Sequence, residues 1–194
     1  GCLFLFPIHS MQRFWSSLVT LAISIAVILT VSVGMPTAAL ALGGPQPELQ
    51  QPAPAFTLPS NTGDGAIALD DYQGQWVVVY FYPRDFTPGC TLEARRFQQD
   101  LPQYQQRNTT ILGISVDDVD SHAEFCDAEG LKFPLLADVD GSVSKAYGSW
   151  LGMNSLRHTY IVDPEGVLQA RFLGVNPSAH SREVLEVLDT LQTA

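Results

Sequence analysis

Apolar and polar positions change period several times along this chain, and each change predicts an element. Trp76-Val77-Val78-Val79-Tyr80-Phe81-Tyr82 is an unbroken β-branched and aromatic run, the pattern of a central strand buried on both faces. From residue 88 to about 107 the spacing turns helical, with Leu92, Phe97, Leu101 and Tyr104 on one stripe. Residues 110–116 read as a second buried strand. Asp120-Ser121-His122-Ala123-Glu124 opens another helix, with Asp120 or Ser121 as its N-cap and Gly130 as its C-terminal glycine. Residues 133–136 predict a short strand and 142–147 a short helix. Two strand-like runs, 158–162 and 167–172, flank Asp163-Pro164-Glu165-Gly166, a hairpin turn by composition. A helix over 181–191 closes the chain. Upstream, residues 55–58 form a short strand and Ser60-Asn61-Thr62-Gly63-Asp64-Gly65 a turn. The early strand–helix–strand units imply parallel pairing with right-handed crossovers, and the hairpin adds antiparallel pairing. An α/β chain with a mixed central β-sheet flanked by helices follows, in a thioredoxin-like arrangement.

The first forty residues follow another pattern. Met11-Gln12-Arg13-Phe14-Trp15 carries one positive charge, residues 18–33 are apolar or hydroxylic without charge, and Ala39-Leu40-Ala41 offers a small-x-small cleavage site. That order predicts a secretory signal over residues 1–41; the alternative is a retained membrane anchor, for which the run is short. Export to a periplasm or a thylakoid lumen is the expectation. Residues 42–53, rich in Pro and Gln, read as an extended linker. About 150 residues remain from position 54 to 194, the size of one domain with a full core. Beyond the leader, nine basic residues face 20 acidic ones. That excess speaks against a nucleic-acid surface.

Of three cysteines, Cys2 lies in the leader, leaving Cys90 and Cys126. Cys90 sits where a strand ends and a helix begins, where free backbone N–H groups and the helix dipole stabilise an anion such as a thiolate. Pro88 and Gly89 suit the tight turn, and the Thr87 hydroxyl can lie beside the sulfur. Two cysteines 36 positions apart could be a static staple, a redox pair or unrelated thiols.

Pro83-Arg84-Asp85-Phe86-Thr87-Pro88-Gly89-Cys90 resembles the active-site signature of the peroxiredoxin family: Pro, three residues, Thr or Ser, two residues, Cys. Tyr80-Phe81-Tyr82-Pro83, Thr91-Leu92-Glu93-Ala94 and Phe133-Pro134-Leu135-Leu136-Ala137-Asp138 are similar to the peroxiredoxin Q subfamily, also called bacterioferritin-comigratory protein. Arg157-His158-Thr159-Tyr160-Ile161-Val162-Asp163 resembles the segment that bears that family's active-site arginine. The resemblance runs from about residue 54 to residue 191. It implies a thiol-dependent peroxidase acting on hydrogen peroxide and alkyl hydroperoxides. Cys90 would be the peroxidatic thiol, Thr87 and the Cys90 N–H would hold the peroxide, Arg157 would stabilise charge, Pro83 would shield the site and Glu93 would orient Arg157. No cofactor and no metal are implied. Thioredoxin or another thiol is the expected reductant, and a monomer the expected state.

One position departs from the subfamily pattern. Many members carry a resolving cysteine five residues after the peroxidatic one, where this chain has Arg95. Other related peroxiredoxins carry it on a later helix at a separation comparable to that of Cys126. So either Cys126 resolves Cys90 in an intramolecular disulfide, or one cysteine works with an external thiol. A thioredoxin-like disulfide carrier is disfavoured, because Glu93 stands where Cys-x-x-Cys needs its second thiol. A fold-only holdase is disfavoured by Pro83, Thr87, Cys90 and Arg157 standing together. His122 is read as support for a helix start, and Trp150 and Met153 as shaping a loop near the site, or an oligomer contact, rather than binding a cofactor. Asn108-Thr109-Thr110 fits a glycosylation pattern common by chance.

Overall fold

A computed structural model describes residues 42–62 and 65–193. The expected leader, 1–41, lies outside the described residues. The elements are β1 Thr57–Pro59, β2 Ala66–Ala68, a 3-10 turn Leu69–Tyr72, β3 Trp76–Phe81, α1 Pro88–Gln106, β4 Thr109–Ser115, α2 Val119–Glu129, β5 Leu135–Ala137, α3 Ser142–Ala146, β6 His158–Val162, β7 Leu168–Leu173 and α4 His180–Thr193. Five strands form one sheet in the order β5-β4-β3-β6-β7. β3 pairs in parallel with β4 and antiparallel with β6, so the predicted mixed sheet is observed. β1 and β2 form a separate two-stranded ribbon.

The β3 run is buried on both faces because the two layers divide it. Val78 and Tyr80 point into the layer with Phe97, Leu101 and Tyr104 of α1 and Val184 and Leu188 of α4. Val77, Val79 and Phe81 point the other way, toward Phe56, Leu58, Tyr147 and Tyr160. Strand alternation thus feeds two cores from one apolar segment. The hairpin forms as expected: Asp163 N–H donates to Val167 O at 2.9 Å, and Gly166 sits at φ +82°.

Three expectations are corrected. The cap of α2 is Asp118, whose carboxylate accepts from Ser121 N–H at 2.9 Å, rather than Asp120 or Ser121, which lie inside the helix. Gly130 ends that helix in the left-handed region at φ +65°, as expected. On α1, Leu92 is exposed and Glu93 buried, so the inward stripe begins with Cys90, Glu93 and Ala94. The segment 42–53 does not trail away as a tether. Gln50 N–H donates to Leu168 O at 2.8 Å, Leu168 N–H to Gln51 O at 2.9 Å, and Ala53 N–H to Gly166 O at 2.9 Å. Backbone pairing along the β6–β7 turn holds it, and such pairing needs no apolar period in the sequence. Asn108, at φ +49°, donates its amide to Gly74 O at 2.9 Å, which uses it as a turn residue.

Candidate active site

β3 delivers the chain to the site and α1 begins there. Phe86 makes the bend at φ +58°, a left-handed conformation that costs about 1–2 kcal/mol for a residue with a Cβ. Thr87 is the N-cap of α1 and Pro88 and Gly89 are its first positions, so Cys90 stands in the first turn. Its N–H has no helical carbonyl one turn behind it and remains available as a donor.

Arg157 arrives from the residue before β6, which neighbours β3, so pairing in the sheet brings together positions far apart in sequence. Its Nη2 lies 3.3 Å from Cys90 Sγ, and its Nη1 donates to Glu93 Oε2 at 2.6 Å. Cys90 and Glu93 are both 1% exposed. Burial alone would weaken the guanidinium's hold on its proton, but Cys90 and Glu93 outweigh it and strengthen that hold. For Glu93 the balance runs the other way. Burial raises its carboxyl to about 7 despite Arg157, and Oε1 has no partner among the described residues. Gly89 is small for a reason: a Cβ there would come within 2.7 Å of Arg157 Nη2.

Thr87 Oγ1 donates to Arg84 O at 3.1 Å. With its proton so engaged, the hydroxyl presents lone pairs to an incoming O–H. Pro83 is half-buried and, with Leu151, Leu156, Arg157 and Val175, lines a largely apolar cleft of about 340 Å³ at the mouth of the site. Met153, on the same loop, is fully exposed in practice, at 79%. Trp150 pairs with Ser155 across that loop, and its ring packs over Gly141 and under Lys145.

Cys126, on α2, is 8% exposed, and both it and Cys90 are free thiols. Burial pushes its thiol up to about 11. Tyr80 of β3 lies between the two thiols electrostatically: its buried hydroxyl is held well above its usual range by burial first, then by Glu93, Cys126 and Cys90. Of the expected site residues, Pro83 and Arg157 line the cleft, Arg157 reaches Cys90, Thr87 caps the helix that carries Cys90, and Cys90 and Cys126 share one apolar layer.

Three contributors were not visible beforehand. Asp85, inside the motif, is buried and accepts from Tyr82 Oη at 2.7 Å, Ser121 Oγ at 2.7 Å and His122 Nδ1 at 2.9 Å. Burial works to raise its carboxyl, but the bonds from His122, Ser121 and Tyr82 prevail and leave it below the usual value. His122 thus does more than start a helix, since it ties α2 to the loop before Cys90. Phe86 packs edge-on against Phe125, the neighbour of Cys126, with centroids 5.1 Å apart. Asn61 donates to Cys126 Sγ at 3.0 Å. An aspartate, an exposed aromatic and a turn asparagine carry no such role in their spacing.

A buried thiol at a helix N-terminus, held by a half-buried arginine on a thioredoxin-like sheet, defines a thiol-based peroxidase. The chain belongs to the AhpC/TSA family, which matches residues 49–171. It is 37% identical over 149 residues to the peroxiredoxin Bcp of Xanthomonas campestris, across 72% of this chain and 93% of the relative. Among solved structures, a cysteine-to-serine variant of peroxiredoxin Q from Xylella fastidiosa superposes with TM-score 0.72 at 32% identity, covering 77% of this chain and 99% of that one. The bacterioferritin comigratory protein of Xanthomonas campestris, solved in work on its alkyl peroxide reduction activity, gives 0.69 at 31% identity, over 74% and 97% of the two chains.

Proposed function

We propose that Cys90 is the peroxidatic thiol of this peroxidase and that Cys126 resolves it. The observation that carries the reading is the Arg157 bridge, which joins Cys90 Sγ to the buried Glu93 carboxylate. Peroxide enters the cleft past Pro83. Thr87 Oγ1 accepts from its O–H, and the Cys90 N–H donates to the other oxygen. The Cys90 thiolate attacks one oxygen in line, an S–O bond forms and the O–O bond breaks. The departing oxygen leaves with the bonding pair and gains a proton, giving water or an alcohol. Arg157 stabilises the charge on that oxygen as it develops, which is where a fixed donor acts most strongly. The thiol becomes a sulfenic acid, oxidised by two electrons.

The Cys126 thiolate then attacks the Cys90 sulfur. An S–S bond forms, the S–O bond breaks and hydroxide leaves as water. A disulfide needs Cα atoms within about 7 Å, and Cys90 and Cys126 are both buried free thiols; loosening of the first turn of α1 delivers Cys90 to Cys126. The strained Phe86 bend makes that end of α1 the weaker one. Thioredoxin or another dithiol supplies the two electrons that restore both thiols. The apolar cleft favours alkyl hydroperoxides alongside hydrogen peroxide, in keeping with the activity named for the relative from Xanthomonas campestris. The chain works as a monomer, exported to a periplasm or thylakoid lumen by its leader.

Peroxide consumption with dithiothreitol or thioredoxin tests the assignment. The wild-type protein turns over and Cys90→Ser does not. Equal activity in the two would overturn it.

A further inference from the structure

Cys126 makes one polar contact that the peroxide step does not use. Asn61 Nδ2 lies 3.0 Å from its Sγ. Chemistry fixes the orientation of that amide. Asn61 Oδ1 accepts from the Leu135 backbone N–H at 3.0 Å, so the NH₂ group must face the sulfur. The Asn61 backbone N–H also donates to Leu135 O at 3.3 Å. β5 therefore holds both the backbone and the side chain of Asn61, and the amide cannot swing away from the thiol without breaking its bond to the Leu135 N–H.

The other groups around Cys126 give a thiolate little help. Asp85, from the loop after β3, and Asp127, on its own helix, oppose the charge, while Lys132, beyond α2, favours it. Tyr80 of β3 is neutral and buried. Glu129 is already engaged by Arg95 of α1. Burial dominates and raises the thiol to about 11; the Asn61 bond is the largest influence in the opposite direction.

We propose that Asn61 is a positioning residue for the resolving half-reaction: its amide N–H holds Cys126 Sγ as an acceptor and so favours the thiolate. The bond favours Cys126 as the attacking sulfur when the sulfenic acid is resolved: Cys126 gives up its proton, the S–S bond forms, the S–O bond at Cys90 breaks and hydroxide leaves as water. The proposal rests on Cys126 being the resolving thiol.

Two variants separate the sulfur contact from its scaffold. Asn61→Asp keeps an acceptor for Leu135 N–H but turns an oxygen toward the sulfur. Asn61→Leu removes both functions. Protein treated with one equivalent of hydrogen peroxide is quenched at intervals across a pH series, and the Cys90–Cys126 disulfide is quantified. In both variants the first equivalent of peroxide should be consumed at the wild-type rate. Disulfide formation should be about tenfold slower near neutral pH, with its pH profile displaced upward by about one unit. Wild-type rates and profiles in both variants would overturn the proposal. So would an effect of Asn61→Leu alone, which would reduce the role to holding Leu135, or of Asn61→Asp alone, which would reduce it to the added charge. A slowed peroxide step would mark a disturbed fold. The pH profile of Cys126 alkylation in a Cys90→Ser background then decides: upward displacement by Asn61→Leu supports the role, and none overturns it. If the wild type itself forms no Cys90–Cys126 disulfide, the resolving assignment fails, and this proposal with it.

Discussion

Glu93→Gln tests the site's electrostatics, because Glu93 is buried yet raised to about 7 from an ordinary 4.5. Burial causes the rise; Arg157 opposes it without overcoming it. A carboxyl so raised favours the folded state in its protonated form. Its contribution is full below about pH 4.5 and is lost as the pH climbs through about 7. The difference between those values corresponds to ~3 kcal/mol. Wild-type stability should therefore fall by about that amount relative to Glu93→Gln between about pH 4.5 and about pH 8. Urea unfolding of both proteins across that range reads the effect directly, and the comparison cancels groups that titrate alike in both. The same substitution should slow the peroxide step about tenfold, because a neutral amide holds the Arg157 guanidinium less firmly than a carboxylate does. Stability curves that stay parallel over the whole range would refute this account of Glu93.

Other substitutions follow from the same geometry. Arg157→Met should cut the rate of peroxide reduction by about 10²–10³-fold, or ~2.7–4 kcal/mol, in stopped-flow measurements, because the donor to both sulfur and departing oxygen is lost. Gly89→Ala should raise or preserve thermal stability, since Ala is the better helix former by up to ~1 kcal/mol, yet slow peroxide reduction because the new Cβ displaces Arg157 Nη2. A Gly89→Ala variant with full activity would show that the guanidinium's position does not matter. Cys126→Ser should leave the first peroxide equivalent unaffected and then overoxidise Cys90, detected as sulfinic acid in the mass spectrum.

Much of the fold was legible because its strands are buried on both faces and say so in unbroken apolar runs. The segment 76–82 and the hairpin over 158–173 are read almost residue for residue. β2 and the 3-10 turn after it carry no such run: Ile67 is the one large apolar residue of Ala66–Ala68, and Asp70 and Asp71 interrupt Leu69–Tyr72. The docking of 42–53 rests on backbone hydrogen bonds, which leave no mark in side-chain pattern. The start of α1 misled for a functional reason. The apolar side chain of Leu92 predicts an inward position, but the site puts Glu93 there to meet Arg157, and a local rule is broken where chemistry requires it. Cys90 could be suspected from its own neighbours, whereas Arg157 could be linked to it only by resemblance, since a sheet pairing joins them. Asn61 gave no signal, because an asparagine in a turn is already explained by the turn.

The mass spectrum of the protein after one equivalent of hydrogen peroxide tests the central claim most directly. Loss of two hydrogens, with the Cys90 and Cys126 peptides joined in a non-reducing digest, is the predicted result. Two unmodified thiols, or an oxidised Cys90 beside a Cys126 that never joins it, would contradict the two-cysteine cycle.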